Sequence, residues 1–292
     1  MIISFPKIKF TYNHKPIAKP KKQELASNKQ TTQEKAKYDI PYEAYYLQKP
    51  QKSPLLEEGQ MSTEKGEIIN RHTTGFFRAD MDWAEFGKYL KEKYPSIDDV
   101  DFITYACSTG EEPYSLALLL NKLYGKNTEI KAFDLSDDVI NDNIKKQQEG
   151  IFVNMPTIRY ICEDMNTSDI DAFEDGDYKG AKIKRNITDS VSFDKANILT
   201  SLDNIDSEKP TVLMARNMWP YVNPEKYHQF AKELYEKLAP NSIFILGLYD
   251  YEGNPDVANS YTFPDVLLEE GFKRIQYSKY QPNGIGSLVF EK

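Results

Sequence analysis

The chain has 292 residues, of which 40% are hydrophobic and 28% are charged, the composition of a globular protein with room for a large core. Residues 1–40 hold nine Lys and three acidic residues and so carry a charge of +6. Because the net charge of the chain is −8, the remaining residues carry −14. So acidic a body would repel a nucleic-acid backbone, which disfavours nucleic acid as the main substrate. No apolar run approaches the roughly 20 residues of a membrane helix, so no membrane insertion is expected. Two cysteines are too few for a disulfide scaffold, and the two observations together predict a cytoplasmic protein.

The N-terminal part of the chain differs from the rest. Residues 1–65 are rich in Lys, Gln, Thr and Pro and show no sustained helical or strand periodicity, which predicts a flexible segment. A loosely docked tail and an extension without a specific role both fit this composition. Residues 66–292 are predicted to form the ordered domain.

Helices and strands alternate in the ordered domain. The predicted strands cover residues 101–105, 129–133, 211–215 and 242–248, and the predicted helices cover residues 82–94, 111–124, 136–149, 224–238 and 263–270. Two final strands, 272–280 and 286–290, are separated by a turn at 282–284 and are expected to form an antiparallel hairpin. Residues 151–190 are acidic and irregular, and are predicted to be a small inserted subdomain. The alternation predicts an α/β fold with a mostly parallel sheet and helices on both faces.

Ligands of an open parallel sheet bind beyond the carboxyl ends of its strands. The first loop at that end, Ala106–Ser115, has the sequence A-C-S-T-G-E-E-P-Y-S and leads into a helix. Its small residues let the backbone approach a ligand, and the start of the helix offers free N–H groups. The consecutive Glu111 and Glu112 suit a positively charged ligand such as an ammonium or a sulfonium. A tight turn before an acidic helix, with no ligand, is the alternative.

Two further loops carry polar residues at the ends of strands. Asp134 ends the second strand, where a nucleoside ribose is held through its hydroxyls. A helix N-cap is the alternative role for Asp134, and Ser136 competes for it. Arg216 and Asn217 follow the third strand, as a ligand-binding pair or as an ordinary strand end. Three widely spaced histidines and two cysteines argue against a metal site.

The run from Ala106 to Ser115 resembles the signature of CheR, the family of chemotaxis receptor glutamate methyltransferases, whose hallmark is C-S-T-G-E-E-P-Y-S. Other segments are similar to the motifs of this family in the same order along the chain. They are Thr74–Arg78 (T-x-F-F-R), Gly150–Phe152 (G-I-Y), Val191–Phe193 with Asn197–Leu199 (V-x-F, then N-L-L) and Arg216–Tyr221 (R-N-V-L-I-Y). The resemblance covers about residues 70–250, most of the ordered domain.

The resemblance implies a fold, a cofactor and a reaction. The expected fold is a Rossmann-like class I methyltransferase with a C-terminal antiparallel hairpin, and the expected cofactor is S-adenosyl-L-methionine. The expected reaction transfers a methyl group to the carboxylate of a protein glutamate, with a chemoreceptor as the candidate acceptor. The family's small β-subdomain, which helps to dock the receptor, corresponds to residues 151–190. The family's cofactor contacts fall on Thr74, Arg78, Glu112, Asp134, Asn197, Ile198, Asn217 and Met218.

Individual roles follow from the same resemblance. Glu112 is expected to hold the ammonium of the cofactor and Asp134 its ribose. Asn197 is expected to contact the adenine side, and Asn217 the methionine moiety.

Arg78 and Tyr221 are the candidate catalytic residues, because they are expected to place the acceptor near the methyl group. A salt bridge to Glu111 or Glu112 is the alternative role for Arg78.

The chain departs from the family pattern at several positions. The family has Asn or Asp in place of His72, a second Asp in place of Ser136, and G-H-S-E in place of the segment Gly247–Asp250. The basic, helical N-terminal domain of the family is not recognisable in residues 1–65. Two other functions therefore stay open. One is methyl transfer to a small molecule or another side chain, and the other is regulation by a protein that binds the cofactor without turnover.

Overall fold

The computed structural model describes residues 74–78, 80–164, 172–174, 176–177, 179–247, 250, 262–275 and 288–292. All of them belong to the larger of the two units of the chain, Leu47–Lys292. The predicted flexible segment 1–65, the departure at His72 and the turn at 282–284 lie outside the described residues. The domain boundary after residue 65 therefore stays a prediction.

Helices and strands alternate through the described residues, in agreement with the sequence pattern. In chain order they are α1 Trp83–Lys93, β1 Asp101–Tyr105, α2 Glu111–Tyr124, β2 Ile130–Asp134, α3 Asp137–Glu149, β3 Phe152–Asn154, α4 Met155–Asp164, β4 Gly180–Lys182, α5 Arg185–Thr188, β5 Val191–Lys195, β6 Thr211–Met214, α6 Tyr227–Lys237, β7 Ile243–Leu246, α7 Phe263–Glu269, β8 Lys273–Ile275 and β9 Leu288–Glu291.

The main sheet has seven strands in the order β5-β2-β1-β6-β7-β9-β8. The strands from β5 to β7 pair in parallel, and β9 runs antiparallel to both β7 and β8. When the strands of this sheet alone are counted in chain order, the first five follow the 3-2-1-4-5 order of a doubly wound nucleotide-binding sheet. The predicted mostly parallel sheet and the C-terminal antiparallel hairpin are both confirmed. The last strand lies inside the sheet, between β7 and β8, and not at its edge.

The central strands are buried on both faces because helices cover both sides of the sheet. All four residues of β6 and of β7 are buried, as expected for a parallel sheet between two layers of helices. One face packs against aromatic residues of α1, including Trp83 and Phe86. The other face packs around Trp219, whose ring stacks on Phe263 with 3.6 Å between centroids.

Local capping explains where the helices near the sheet edge begin. The Asp82 side chain accepts from the Glu85 N–H at 3.0 Å and caps α1. Ser136 caps α3 in the same way, accepting from the Val139 N–H at 3.5 Å.

The segment between α3 and β5, predicted to be irregular, contains a second sheet. β3 and β4 pair antiparallel, with Phe152 opposite Lys182, and form a two-stranded sheet apart from the main one. Each of these strands has three residues, too few to produce a recognisable alternation in the sequence. None of the helices in the described part of the chain combines the length and the apolar character of a membrane span.

Candidate active site at the carboxyl edge of the sheet

The three loops predicted to form the site meet at one edge of the sheet. β1 lies between β2 and β6, and all three strands run parallel. The loops that follow Tyr105, Asp134 and Met214 therefore leave the sheet side by side. The chain moves outward from β1 to β2 and β5 and then returns to β6, so the strand order reverses between β1 and β6. Ligands of doubly wound sheets bind at such a switch point.

The loop between β1 and α2 has an unusual backbone conformation. Ala106 and Ser108 have positive φ angles of 54° and 49°, and Gly110 has one of 91°. A left-handed conformation costs a non-glycine residue about 1–2 kcal/mol, and such residues cluster at ligand sites. Contacts on both sides hold Ser108: its N–H donates to Asp134 Oδ2 at 2.9 Å, and its carbonyl accepts from Asn143 Nδ2 at 2.6 Å. The loop is thus more constrained than an ordinary turn.

Asp134 occupies the position predicted for a ribose-binding carboxylate. Its Oδ1 accepts from the Ser136 N–H at 3.1 Å, while Ser136 itself caps α3. The alternative role of Asp134 as a helix N-cap is therefore wrong. Because β5 pairs in parallel with β2, Asn197 and Ile198 leave the sheet beside Asp134. Ile198 is buried, and Asn197 Oδ1 accepts from the Leu199 N–H at 3.0 Å.

A buried ion-pair network lies at the switch point. The Arg216 side chain has no exposed surface, and it donates to Glu112 Oε2 at 2.7 Å and to Asp80 Oδ1. Asp80 Oδ2 also accepts from Asn217 Nδ2 at 3.0 Å. The Nε of Arg78 lies 3.9 Å from Asp80 Oδ1. The network joins the segment before α1, the first turn of α2 and the loop after β6.

The network changes the interpretation of two predicted residues. Arg78 pairs with Asp80 at 3.9 Å, and its charge also acts on Glu112, one of the two carboxylates predicted as its alternative partner. Glu112 pairs with Arg216 through Oε2, and its carboxylate has a second oxygen for a ligand cation. Burial raises the pKa of Glu112 above its ordinary value, while the charges of Arg216 and Arg78 oppose that shift.

A second buried carboxylate joins the loops after β6 and β7. Asp250 accepts from the N–H groups of Gly247 at 2.7 Å, Asn217 at 2.6 Å and Trp219 at 2.9 Å. Burial raises the pKa of Asp250 to about 7, although these three hydrogen bonds act in the opposite direction.

The charges around the first loop fit S-adenosyl-L-methionine. Burial raises the pKa of the Cys107 thiol, and the nearby charges of Asp134, Glu112 and Glu111 raise it further. Three carboxylates thus surround the loop, which suits a ligand that carries both an ammonium and a sulfonium. The hydroxyl of Ser108 is buried without a hydrogen-bond partner among the described residues, and a bound ligand would satisfy it.

The segment that contains Thr74 and Arg78 docks on the helix that follows this loop. The Phe77 N–H donates to Ser115 Oγ in α2 at 2.8 Å, and Phe77 has a positive φ of 46°. Thr74 and Arg78 are both half-buried. The contact brings both predicted cofactor residues to the side of the sheet that carries α2.

Met218 and Tyr221 follow the Arg216–Asn217 corner. Met218 packs against the apolar cluster around Trp219. The half-buried Tyr221 ends the 3₁₀ turn Trp219–Tyr221, and its N–H donates to the Met218 carbonyl at 3.0 Å.

Three residues at the site were not singled out from the sequence. Asp80 and Asn143 reach the site by contacts with residues distant in the sequence. Asp80 binds Arg216, 136 positions further along the chain, and Asn143 binds Ser108, 35 positions before it. Asp250 carried a signal, because it stands where the related motif G-H-S-E has its acidic residue.

The sheet order, in which the antiparallel strand β9 lies between β7 and β8, and the acidic loop at the switch point define a Rossmann-like class I methyltransferase fold. Residues 72–255, more than half of the chain, match the family described as CheR methyltransferase, SAM binding domain. The chain belongs to the CheR methyltransferase family, and S-adenosyl-L-methionine is the cofactor of its domain.

Individual relatives are more distant. The chain is 24% identical over 141 residues to chemotaxis protein methyltransferase 2 of Vibrio cholerae serotype O1, and the match covers 48% of each protein. The chain thus spans about half the length of this curated relative. The chain is also similar to the solved structure of the glycopeptide N-methyltransferase MtfA, with a TM-score of 0.42 and 14% identity, and the match covers 72% of this chain and 95% of that one. A second similar structure is that of the CurJ carbon methyltransferase, with a TM-score of 0.42 and 16% identity, and the match covers 72% of this chain and 54% of that one.

Proposed function

We propose that this protein transfers the methyl group of S-adenosyl-L-methionine to a carboxylate oxygen of a glutamate in another protein. The match of residues 72–255 to the CheR family carries the proposal. The chemotaxis methyltransferase similar to one half of the chain supports the choice of acceptor, for which a chemoreceptor is the first candidate.

The reaction asks little acid–base chemistry of the protein. When bound, the cofactor supplies an electrophilic methyl group on a sulfonium. A glutamate carboxylate is ionised at pH 7, so no general base has to activate it. The remaining task is to align the acceptor oxygen with the methyl group in a site from which water is excluded.

The residues of the site divide this task between them. Glu112 would bind the ammonium and Asp134 the ribose, with Asn197 and Ile198 on the adenine side. The side chain of Arg78 is 14% exposed and pairs with the buried Asp80, and its guanidinium would attract the carboxylate of the acceptor.

Tyr221 is proposed to orient the acceptor oxygen through its hydroxyl. As a positioning group, it contributes mainly in the transition state. We expect Tyr221→Phe to keep cofactor affinity within a factor of about three and to slow transfer about 10–100-fold, which is about 1.4–2.7 kcal/mol of barrier. Calorimetry and single-turnover transfer measure the two effects. A wild-type rate in Tyr221→Phe would show that this tyrosine has no part in catalysis.

Transfer of a labelled methyl group tests the proposed acceptor class. The purified protein is incubated with cell lysate and S-adenosyl-L-methionine labelled on the methyl group, and the labelled proteins are then treated with base. A methyl ester of glutamate releases labelled methanol, whereas a methyl group on nitrogen stays. We expect base-labile label on protein, and much less of it when Asp134→Ala replaces the wild type at limiting cofactor.

The outcomes separate the candidate functions. Base-stable label would contradict a glutamate acceptor and indicate a side-chain nitrogen. Label confined to small molecules would contradict a protein acceptor. Cofactor binding without any transfer would indicate a regulatory protein.

A further inference from the structure

We infer that Asp250 is a positioning residue of the cofactor site, which holds Asn217 in its left-handed conformation and thereby sets the buried network around Arg216. The inference rests on the proposed function through the cofactor-binding roles of Glu112 and Asn217, and its test measures cofactor binding.

The geometry shows how one carboxylate controls two loops. β6 and β7 pair in parallel, so the loops that follow them lie side by side. Asp250 Oδ2 accepts from the N–H groups of Gly247 and Asn217, and Oδ1 accepts from that of Trp219. The residue is 2% exposed, so water does not compete for these bonds. Both oxygens are therefore committed to the backbone of the site.

Asn217 needs this support because of its backbone conformation. Its φ is 59°, in a region that costs about 1–2 kcal/mol for most residues and less for Asn. The two N–H groups that bracket this conformation, those of Asn217 and Trp219, both donate to Asp250. Without an acceptor at that point, the buried donors would be unsatisfied and the corner would relax.

The side chain of Asn217 is fixed on two further sides. Its amide donates to Asp80, and its plane lies so close to Gly247 that a Cβ on that glycine would overlap it. Glycine at 247 is thus required to seat Asn217. Asp80 in turn binds Arg216, whose other amino group reaches Glu112. A shift of Asn217 therefore reaches a residue proposed to hold the ammonium of the cofactor.

The ionisation of Asp250 gives this role a measurable signature. Among the described residues, the ionisable groups that face it are Asp80, whose charge raises the pKa of Asp250, and Tyr227, whose own pKa is raised by burial and by Asp250. With a pKa of about 7, the carboxylate is the main form at pH 8 and the carboxyl at pH 6. A carboxyl accepts hydrogen bonds more weakly than a carboxylate. Lowering the pH should weaken the support of Asn217.

Stability should respond in the opposite direction. The folded state binds the Asp250 proton more tightly than the unfolded chain, because burial raises the pKa. This group therefore adds stability as the pH falls from about 7 towards the ordinary carboxyl range. A residue that only supported the fold would make affinity and stability change together.

The test compares Asp250→Asn with the wild type in calorimetric titrations with S-adenosylhomocysteine from pH 6 to 8.5. We expect the variant to bind about 10-fold more weakly at pH 8, the effect of a lost hydrogen bond to a charged acceptor, and the difference to shrink below about 3-fold at pH 6. Asp265→Asn is the matched control. Its carboxylate also accepts from a nearby backbone N–H, that of Thr262, but on the exposed start of α7. It should bind as the wild type does at every pH.

A second variant reaches the same target without altering the carboxylate. Gly247→Ala should displace Asn217 and weaken binding at all pH values alike, and it decides the question if Asp250→Asn does not fold. Wild-type affinity at pH 8 in a folded Asp250→Asn, or in a folded Gly247→Ala when the first variant is unfolded, would overturn the inference. A wild-type protein that binds no S-adenosylhomocysteine would instead overturn the proposed function.

Discussion

Replacing Arg216 with Met should lower the free energy of unfolding by about 3–5 kcal/mol, the cost of removing one member of a buried ion-pair network. The Arg216 side chain is completely buried and donates to both Glu112 and Asp80. Its loss leaves two carboxylates at low exposure near each other. Urea denaturation followed by circular dichroism measures the change.

An exposed ion pair provides the control. The Nε of Arg185, the first residue of α5, lies 3.3 Å from Oδ1 of Asp189, which follows the helix, and both side chains are more than half exposed. Arg185→Met should change stability by less than about 1 kcal/mol, as is usual for surface pairs. Arg185 also donates to the Gln148 carbonyl at 3.0 Å, so each Arg→Met substitution removes an ion pair and hydrogen bonds, at the surface in one case and in the interior in the other.

Neutralising the partners should restore much of the loss. In Asp80→Asn/Glu112→Gln/Arg216→Met, the three most deeply buried members of the network are neutral and only the partly exposed Arg78 keeps its charge. The triple variant should therefore be more stable than Arg216→Met alone. The deficit of Arg216→Met should also shrink on acidification, because burial raises the pKa of Glu112 and protonation then removes one charge. Equal stability of Arg185→Met and Arg216→Met would contradict the structural assignment of the network.

The main strands and helices could be predicted from the sequence because the buried strands are apolar runs and the helices have amphipathic spacing. β1 and α2 have the predicted bounds, and the other large elements agree within a few residues. β5 was recognised only as the motif V-S-F and not as a strand. It lies at the edge of the sheet with one buried residue, Val191, so it lacks the apolar run that marks the central strands.

The candidate site was only partly predictable for a different reason. Residues that follow strands, such as Asp134 and Asn217, could be found because the topology brings strand ends together. Asp80 and Asn143 act by contacts between distant segments, which no local pattern encodes. The pairing of Glu112 with Arg216 was missed because both residues belong to motifs that were interpreted separately as ligand contacts.

Asp134→Ala should weaken S-adenosyl-L-methionine binding by about 1–3 kcal/mol, or about 5–150-fold, because it removes hydrogen bonds to a charged group. The carboxylate is placed to contribute in two ways. It stands at the strand end expected to hold the ribose, and its Oδ2 accepts from the Ser108 N–H and so fixes the left-handed loop before α2. Calorimetry gives the affinity, and thermal unfolding reports whether the variant is folded.

Ser136→Ala separates ligand binding from helix capping. Ser136 lies two positions after Asp134 and caps α3, so its loss should cost about 0.5–2 kcal/mol of stability. Its backbone N–H, which donates to Asp134, is retained in the variant. Ser136→Ala should therefore lower the melting temperature while cofactor affinity stays within about a factor of three, because the carboxylate and its contact with Ser108 remain. Asp134→Ala should show a larger loss of affinity than any loss that Ser136→Ala produces. If the two variants lose affinity equally, the loop acts through its stability alone, and Asp134 makes no contact with the cofactor.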